Sequence, residues 1–169
     1  MDAIEALLTR RSIRRYTADP VGGDDLREVI RAGTAAPTAG DQRPWHFVVL
    51  DDRGVLDAIP DFHPHAKMLR QAPAAILVCA DPRLETHKGY WVQDCAAAVE
   101  NMLLAAHALG LGAVWLGVHP RPAREAGLRA LLGIPDEVVP FAIVSLGHPA
   151  ERKRREDRLD PARVHRNRW

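Results

Sequence analysis

Val92-Gln93-Asp94-Cys95-Ala96-Ala97-Ala98-Val99-Glu100-Asn101-Met102-Leu103-Leu104-Ala105-Ala106-His107-Ala108-Leu109 reads as one long helix. Ala96, Ala97, Ala98, Val99, Met102, Leu103, Leu104, Ala105, Ala106, Ala108 and Leu109 go all the way round it. A helix that is apolar on every side is buried on every side. A chain of 169 residues forms one domain with a real core, over 1–169, but has little material left to cover such a helix completely. A partner subunit is the simplest cover, and a central helix within a monomer is the alternative.

Working outward, Gly110-Leu111-Gly112 ends this helix and Ala113 to Leu116 follows as a strand. Pro122 to Leu132 reads as a helix closed by Gly133, and Val139 to Leu146 as the last strand. Upstream, Ala74 to Cys79 and Trp45 to Leu50 are strands. Asp51 to Arg70 has no dominant period. At the N-terminus, Asp2-Ala3-Ile4-Glu5 has the spacing of a helix cap, with Ile4, Leu7 and Leu8 on one face. A second helix starts at Asp24 or Asp25, carries Leu26, Val29 and Ile30 on its apolar side, and stops near Gly33; residues 36–41 form a loop. Helices first, then strands interleaved with helices, suit an α+β or mixed α/β layer fold.

Apolar residues make up 47% and charged residues 27%, with a formal net charge of +1. That balance gives no bulk electrostatic case for nucleic acid or membrane. No signal-peptide pattern opens the sequence and no apolar run reaches membrane-spanning length, so the expectation is a cytoplasmic protein. Cys79 and Cys95 sit in apolar stretches and read as packing residues.

Arg10-Arg11-Ser12-Ile13-Arg14-Arg15-Tyr16 clusters guanidinium groups around a hydroxyl. Arginine suits phosphate because its planar fork donates two parallel hydrogen bonds. The same run also reads as a solvated basic helix end. His63-Pro64-His65 offers two imidazoles at metal-ligand spacing, but no third ligand is spaced to complete a site. Arg152-Lys153-Arg154-Arg155 is basic, but acidic residues flank it and it reads as a solvated arm. Gly110-Leu111-Gly112 follows a helix and precedes a strand, the reverse of a dinucleotide fingerprint. No separate nicotinamide site follows from it.

These motifs together resemble the nitroreductase family. Arg-Arg-Ser-Ile-Arg-Arg-Tyr from Arg10 is similar to its opening signature, and Ala36-Pro37-Thr38-Ala39-Gly40-Asp41-Gln42-Arg43-Pro44-Trp45-His46-Phe47 to its second. Asp94 to Gly117 resembles its central helix and flavin-facing strand, and Arg158 to Trp169 its C-terminal ending. The resemblance implies a mostly antiparallel sheet flanked by helices, an intertwined homodimer, and FMN bound at the subunit interface. It implies that Arg10, Ser12 and Arg158, with Arg11 beside them, hold the FMN phosphate and ribityl chain. Arg14 reaches the pyrimidine end, and Lys67 lies near the flavin carbonyls. Pro37, Thr38 and Asp41 come from the partner subunit, with Ala39 in the same cofactor-binding loop. Trp115, Leu116 and Gly117 line one face of the ring, and Lys67 and Gly117 lend electrostatic support.

The implied activity is electron transfer from NADH or NADPH to a nitroaromatic, quinone or similar small acceptor, by a ping-pong mechanism. The chemistry lies on the flavin, so no protein nucleophile is required. A storage or sensing module for FMN is the competing class, and rapid bleaching by a reduced nicotinamide separates the two. Reductive dehalogenation on the same fold is a third reading. Asp41 and Glu156 depart from the family pattern. Many relatives have Asn where Asp41 stands, which can donate as well as accept, and some carry a basic residue where Glu156 stands.

Overall fold

The computed structural model describes residues 1–169. Five helices, α1 (Ala3–Thr9), α2 (Gly23–Thr34), α3 (Arg53–Phe62), α4 (Trp91–Ala108) and α5 (Pro122–Leu132), surround four strands, β1 (Trp45–Leu50), β2 (Ala74–Ala80), β3 (Gly112–Gly117) and β4 (Val139–Gly147). The strands form one antiparallel sheet in the order β1-β2-β4-β3. Register runs from Trp45 opposite Ala80 at one end of the β1–β2 pair to Leu50 opposite Ala75 at the other, and Gly112 pairs with Gly147.

Local chemistry sets most boundaries. Asp2 caps α1 by accepting from the Glu5 N–H at 2.9 Å. Pro122 opens α5, and Gly133 closes it in the left-handed region at φ 67°. The unpatterned stretch holds α3, capped by Asp52, whose side chain accepts from the Val55 N–H at 2.9 Å. Leu56 and Ile59 form its buried face. Gly54 and Pro60 interrupt the sequence pattern there. Pro60 lies in the last turn, so the helix loses only one late hydrogen bond.

β2 is buried along its whole length because helices cover both sides of the sheet. Ala74, Ile76, Val78 and Ala80 face α2 and α4; Ala75, Leu77 and Cys79 face α3, α5 and the short 3-10 turn Lys67–Arg70. This is why its sequence is a continuous apolar run instead of an alternating one. Burial of each such Leu or Ile contributes about 1.5–3 kcal/mol relative to exposure.

Two features of the expected apolar faces differ in the single chain. Ala6 is the buried residue of α1, whereas Ile4, Leu7 and Leu8 are exposed. On α4, Cys95, Ala98, Val99, Met102, Leu103 and Ala106 are buried. Its Leu104, Ala105 and Ala108 line a groove of about 410 Å³ shared with α1 and α2. The chain therefore covers one side of its central helix and leaves the other side part open.

After α1 the chain runs extended beside β3. Ser12 bridges Ala113 in parallel, the Ile13 N–H donates to the Ala113 carbonyl at 2.9 Å, and Tyr16 bridges Pro149. Gly112 permits this approach, since a Cβ there would lie 2.6 Å from the Ile13 side chain. The Arg10–Tyr16 run is thereby fixed along the edge of the sheet. No helix is long and apolar enough to cross a membrane.

Candidate active site

The Arg10–Arg14 segment feeds two cavities. The first, of about 190 Å³, is lined by Leu7 and Leu8 of α1, by Arg10 and Arg11, and by tail residues 155–159. Four guanidinium-bearing residues face it: Arg10, Arg11, Arg155 and Arg158. Arg10 Nε is buried and makes no hydrogen bond, although the Glu100 carboxylate of α4 lies 3.4 Å away. Arg11 donates to the Arg154 carbonyl and pairs with Glu156 Oε1 at 3.0 Å. Glu156 Oε2 is 3.3 Å from Arg158 Nη2. A carboxylate of the tail thus stands between two arginines in this pocket.

The second cavity, of about 410 Å³, gathers Arg14, Lys67, Trp115, Leu116 and Gly117. Glu151 positions Arg14 by accepting its backbone N–H at 2.6 Å. That bond, and Lys153 close by, hold the Glu151 carboxyl below its ordinary value. Lys67 starts the 3-10 turn that follows α3. The Trp115 ring packs edge-on against Phe141, with centroids 5.8 Å apart.

Three further residues of this cavity, His63, His65 and Arg124, escaped the sequence reading as members of this site. The Gly117 carbonyl at the end of β3 accepts from Arg124 Nη1 at 2.7 Å and contacts His63 Nε2 at 3.0 Å. A carbonyl only accepts, so Nε2 carries the proton of His63. Burial first, and Arg124 second, push the His63 pKa below the ordinary imidazole value. Neutral His63 then leaves Nδ1 a bare acceptor, buried and without a partner. His63 caps the C-terminal end of α3, a helix whose broken sequence pattern gave no signal to locate it.

The other expected residues lie elsewhere in the chain. Ser12 lines neither cavity; its carbonyl accepts from Lys153 Nζ at 2.6 Å. Pro37, Thr38, Ala39 and Asp41 also line neither. Asp41 is engaged by Arg43 through two hydrogen bonds of 2.7 Å. The loop around them is clamped by Asp94 of α4, which is buried and accepts from the Ala39 N–H at 3.0 Å and from Gln42 Nε2 at 2.6 Å. Gln42 Oε1 in turn accepts from the N–H groups of Thr86 and His87. The clamp fixes a loop whose Gly40, Asp41 and Arg43 all have positive φ.

Known proteins share this architecture. The model of the nitroreductase family matches residues 7–64 and 63–148. A protein of Methanothermobacter thermautotrophicus with the provisional name NADH dehydrogenase/NAD(P)H nitroreductase is 48% identical over 169 residues, covering 100% of this chain and 88% of its own. The structure of an FMN-dependent nitroreductase from Clostridium difficile superposes with a TM-score of 0.92 at 30% identity, over 98% of this chain and 99% of that one. A provisionally named nitroreductase from Desulfovibrio desulfuricans, solved in complex with FMN, gives 0.85 at 31% identity over 100% and 99%. With the fold, the basic segment beside β3 and these matches in agreement, the chain belongs to the nitroreductase family.

Proposed function

We propose that this chain, as one domain spanning 1–169, is half of a homodimer in which a reduced nicotinamide and a nitroaromatic or quinone acceptor use one binding place in turn. The protein is an NAD(P)H-dependent flavin oxidoreductase with FMN as cofactor. The observation that carries the finer reading is the continuity of Arg10, Arg11 and Arg14. One extended strand of chain delivers cations to a phosphate-sized pocket and to a ring-sized one.

The residues fit FMN. Arg10 has a buried Nε with no hydrogen bond, and Arg11 and Arg158 already hold a carboxylate, the nearest thing the chain itself has to a phosphate. In this reading Arg10, Arg11 and Arg158 take the phosphate, while Ser12 fixes the segment beside β3. Arg14 and Lys67 face the pyrimidine end of the ring, and Trp115, Leu116 and Gly117 form one wall. When bound, FMN supplies the chemistry, accepting a hydride from the nicotinamide and passing the electrons on. Arg14 and Lys67 stabilise negative charge as it develops, which favours the transition state over the ground state. The chain holds His63 neutral beside Gly117, so it adds no further charge to that wall. The overall reaction balances as NAD(P)H, a proton and a nitro compound giving NAD(P)⁺, a nitroso compound and water.

The partner subunit covers the open side of α4 and the apolar face of α1, where Ile4, Leu7 and Leu8 are exposed. It brings Pro37, Thr38, Ala39 and Asp41 to the ring that the same chain's loop does not approach. The test is an absorbance spectrum of the purified protein, before and after anaerobic addition of NADH or NADPH. A flavin spectrum that bleaches and recovers on adding a nitroaromatic is expected. A flavin spectrum that no nicotinamide bleaches would leave a storage module instead. Double-reciprocal plots should be parallel, and intersecting lines would mean that donor and acceptor bind together.

A further inference from the structure

The ring-side cavity holds more positive charge than a flavin uses. Arg14, Lys67 and Arg124 all line it, and no Asp or Glu does. None of the three is in an ion pair. Glu125, the acidic residue next to Arg124, is instead turned to His119 at 2.9 Å. The isoalloxazine carries at most one negative charge when reduced, and the FMN phosphate has a separate pocket built from Arg10, Arg11 and Arg158. Three fixed cations against one negative charge leave a surplus. Arg124 is the cation left over, because it comes from α5, apart from the Arg14 segment and the turn that carries Lys67. One Nη of its guanidinium is committed to the Gly117 carbonyl at 2.7 Å, and its other donors have no partner in the chain.

We propose that Arg124 is an anion anchor for the electron acceptor, and that this enzyme prefers acceptors whose aromatic ring bears a carboxylate, sulfonate or phosphate. The inference rests on the reading that an acceptor enters this cavity. Arg124 lines that space with its fork held by the Gly117 carbonyl, so little side-chain freedom is lost when an anion docks. His65 lines the same cavity. Arg124 does no bond making; it selects and orients.

The same anion chemistry exists in the phosphates of the nicotinamide donor, so the experiment separates the two. The FMN-loaded protein is titrated with benzoate and with the neutral benzamide, followed by the change in the flavin spectrum. Benzoate should bind roughly tenfold more tightly, and Arg124→Gln should remove that preference. Gln keeps a donor for the Gly117 carbonyl while losing the charge, so the fold at the end of β3 is retained, and Arg124→Lys should restore part of the preference. In turnover, the ratio of kcat/KM for 4-nitrobenzoate over nitrobenzene should fall by a similar factor in Arg124→Gln. Equal binding of benzoate and benzamide, or a ratio that does not move, overturns the proposal while nitrobenzene reduction still upholds the enzyme. A fall confined to the NADPH over NADH ratio in flavin reduction assigns the anchor to the donor and overturns it too. Failure to bind flavin or reduce either nitro compound overturns the functional reading, and this inference with it.

Discussion

The Glu156 carboxylate lies 3.0 Å from the Arg11 guanidinium, and so places its own negative charge in the pocket we propose for the FMN phosphate. Arg158 takes its other oxygen at 3.3 Å. A phosphate entering this pocket must displace the carboxylate or share the arginines with it. The first costs the Glu156 ion pairs and the second brings like charges together. Glu156→Gln should therefore tighten FMN binding by roughly threefold to thirtyfold, with riboflavin, which lacks the phosphate, unchanged. The pair of titrations is the measurement, and equal tightening of both ligands would place Glu156 at the ring or in the fold.

Arg10→Ala and Arg158→Ala test the same pocket from the cationic side. Each should weaken FMN by about one to two powers of ten and leave riboflavin nearly unaffected. Because both serve one anion, the double variant should lose less than the sum of the two. Loss for both ligands alike would mean that these arginines support the fold.

Asp94 clamps the loop that carries Pro37, Thr38 and Asp41. Its buried carboxylate accepts from the Ala39 N–H and the Gln42 amide. Asp94→Ala leaves both donors without their acceptor, and should cost about 2–4 kcal/mol in urea unfolding. Proteolysis should then begin in 36–43. A variant as stable as the wild type would show that solvent satisfies this loop.

Leu104 of α4 lines the open groove beside α1 and α2 and is only half-buried in the chain. Leu104→Glu should leave the monomer fold intact but place an unpaired charge in the proposed subunit contact, raising the dissociation constant of the proposed dimer by at least about tenfold. Light scattering at several concentrations reads this directly. An unchanged dimer would put the contact on another face.

Asp81 should contribute to the acid limb of stability. Arg83 donates to it through Nη2 at 2.8 Å, through Nε at 2.9 Å and from its backbone N–H at 3.0 Å. The Arg83 hydrogen bonds draw the Asp81 carboxyl down to about 2 in the folded protein. An unfolded Asp titrates near ~3.9. The ionised form thus favours the folded state; its contribution is full above that unfolded value and is lost as pH falls toward 2. The urea midpoint should drop between pH 5 and pH 2 less steeply in Asp81→Asn than in the wild type. Parallel slopes would assign the acid limb to other carboxylates.

Much of the fold was legible in short stretches of sequence. The cap at Asp2, the strand Trp45–Leu50 and the helix Pro122–Leu132 with its closing glycine are fixed by hydrogen bonds and apolar periods that span a few residues. The family signatures added the cofactor class, since Arg10, Arg11 and Arg14 lie within one run. α3 was hidden because Gly54 and Pro60 break its pattern, although burial of Leu56 and Ile59 outweighs both. His63, which the sequence offered only as one of two imidazoles without a third metal ligand, stands beside Gly117, more than fifty residues further along the chain.

What the sequence determined by itself is therefore local: where helices and strands begin, and which segments concentrate cationic side chains. The tertiary structure decided which charges meet. Glu156 reaches Arg11, and Arg124 reaches the carbonyl of Gly117 beside Lys67, only because the strand order β1-β2-β4-β3 brings β3, the Arg10–Tyr16 segment and the tail to one edge. It also decided that Ile4, Leu7 and Leu8, apolar enough for a core, stay exposed in one chain. Periodicity reports that a face avoids water, and only the packing of the whole chain says whether the cover is its own or a partner's.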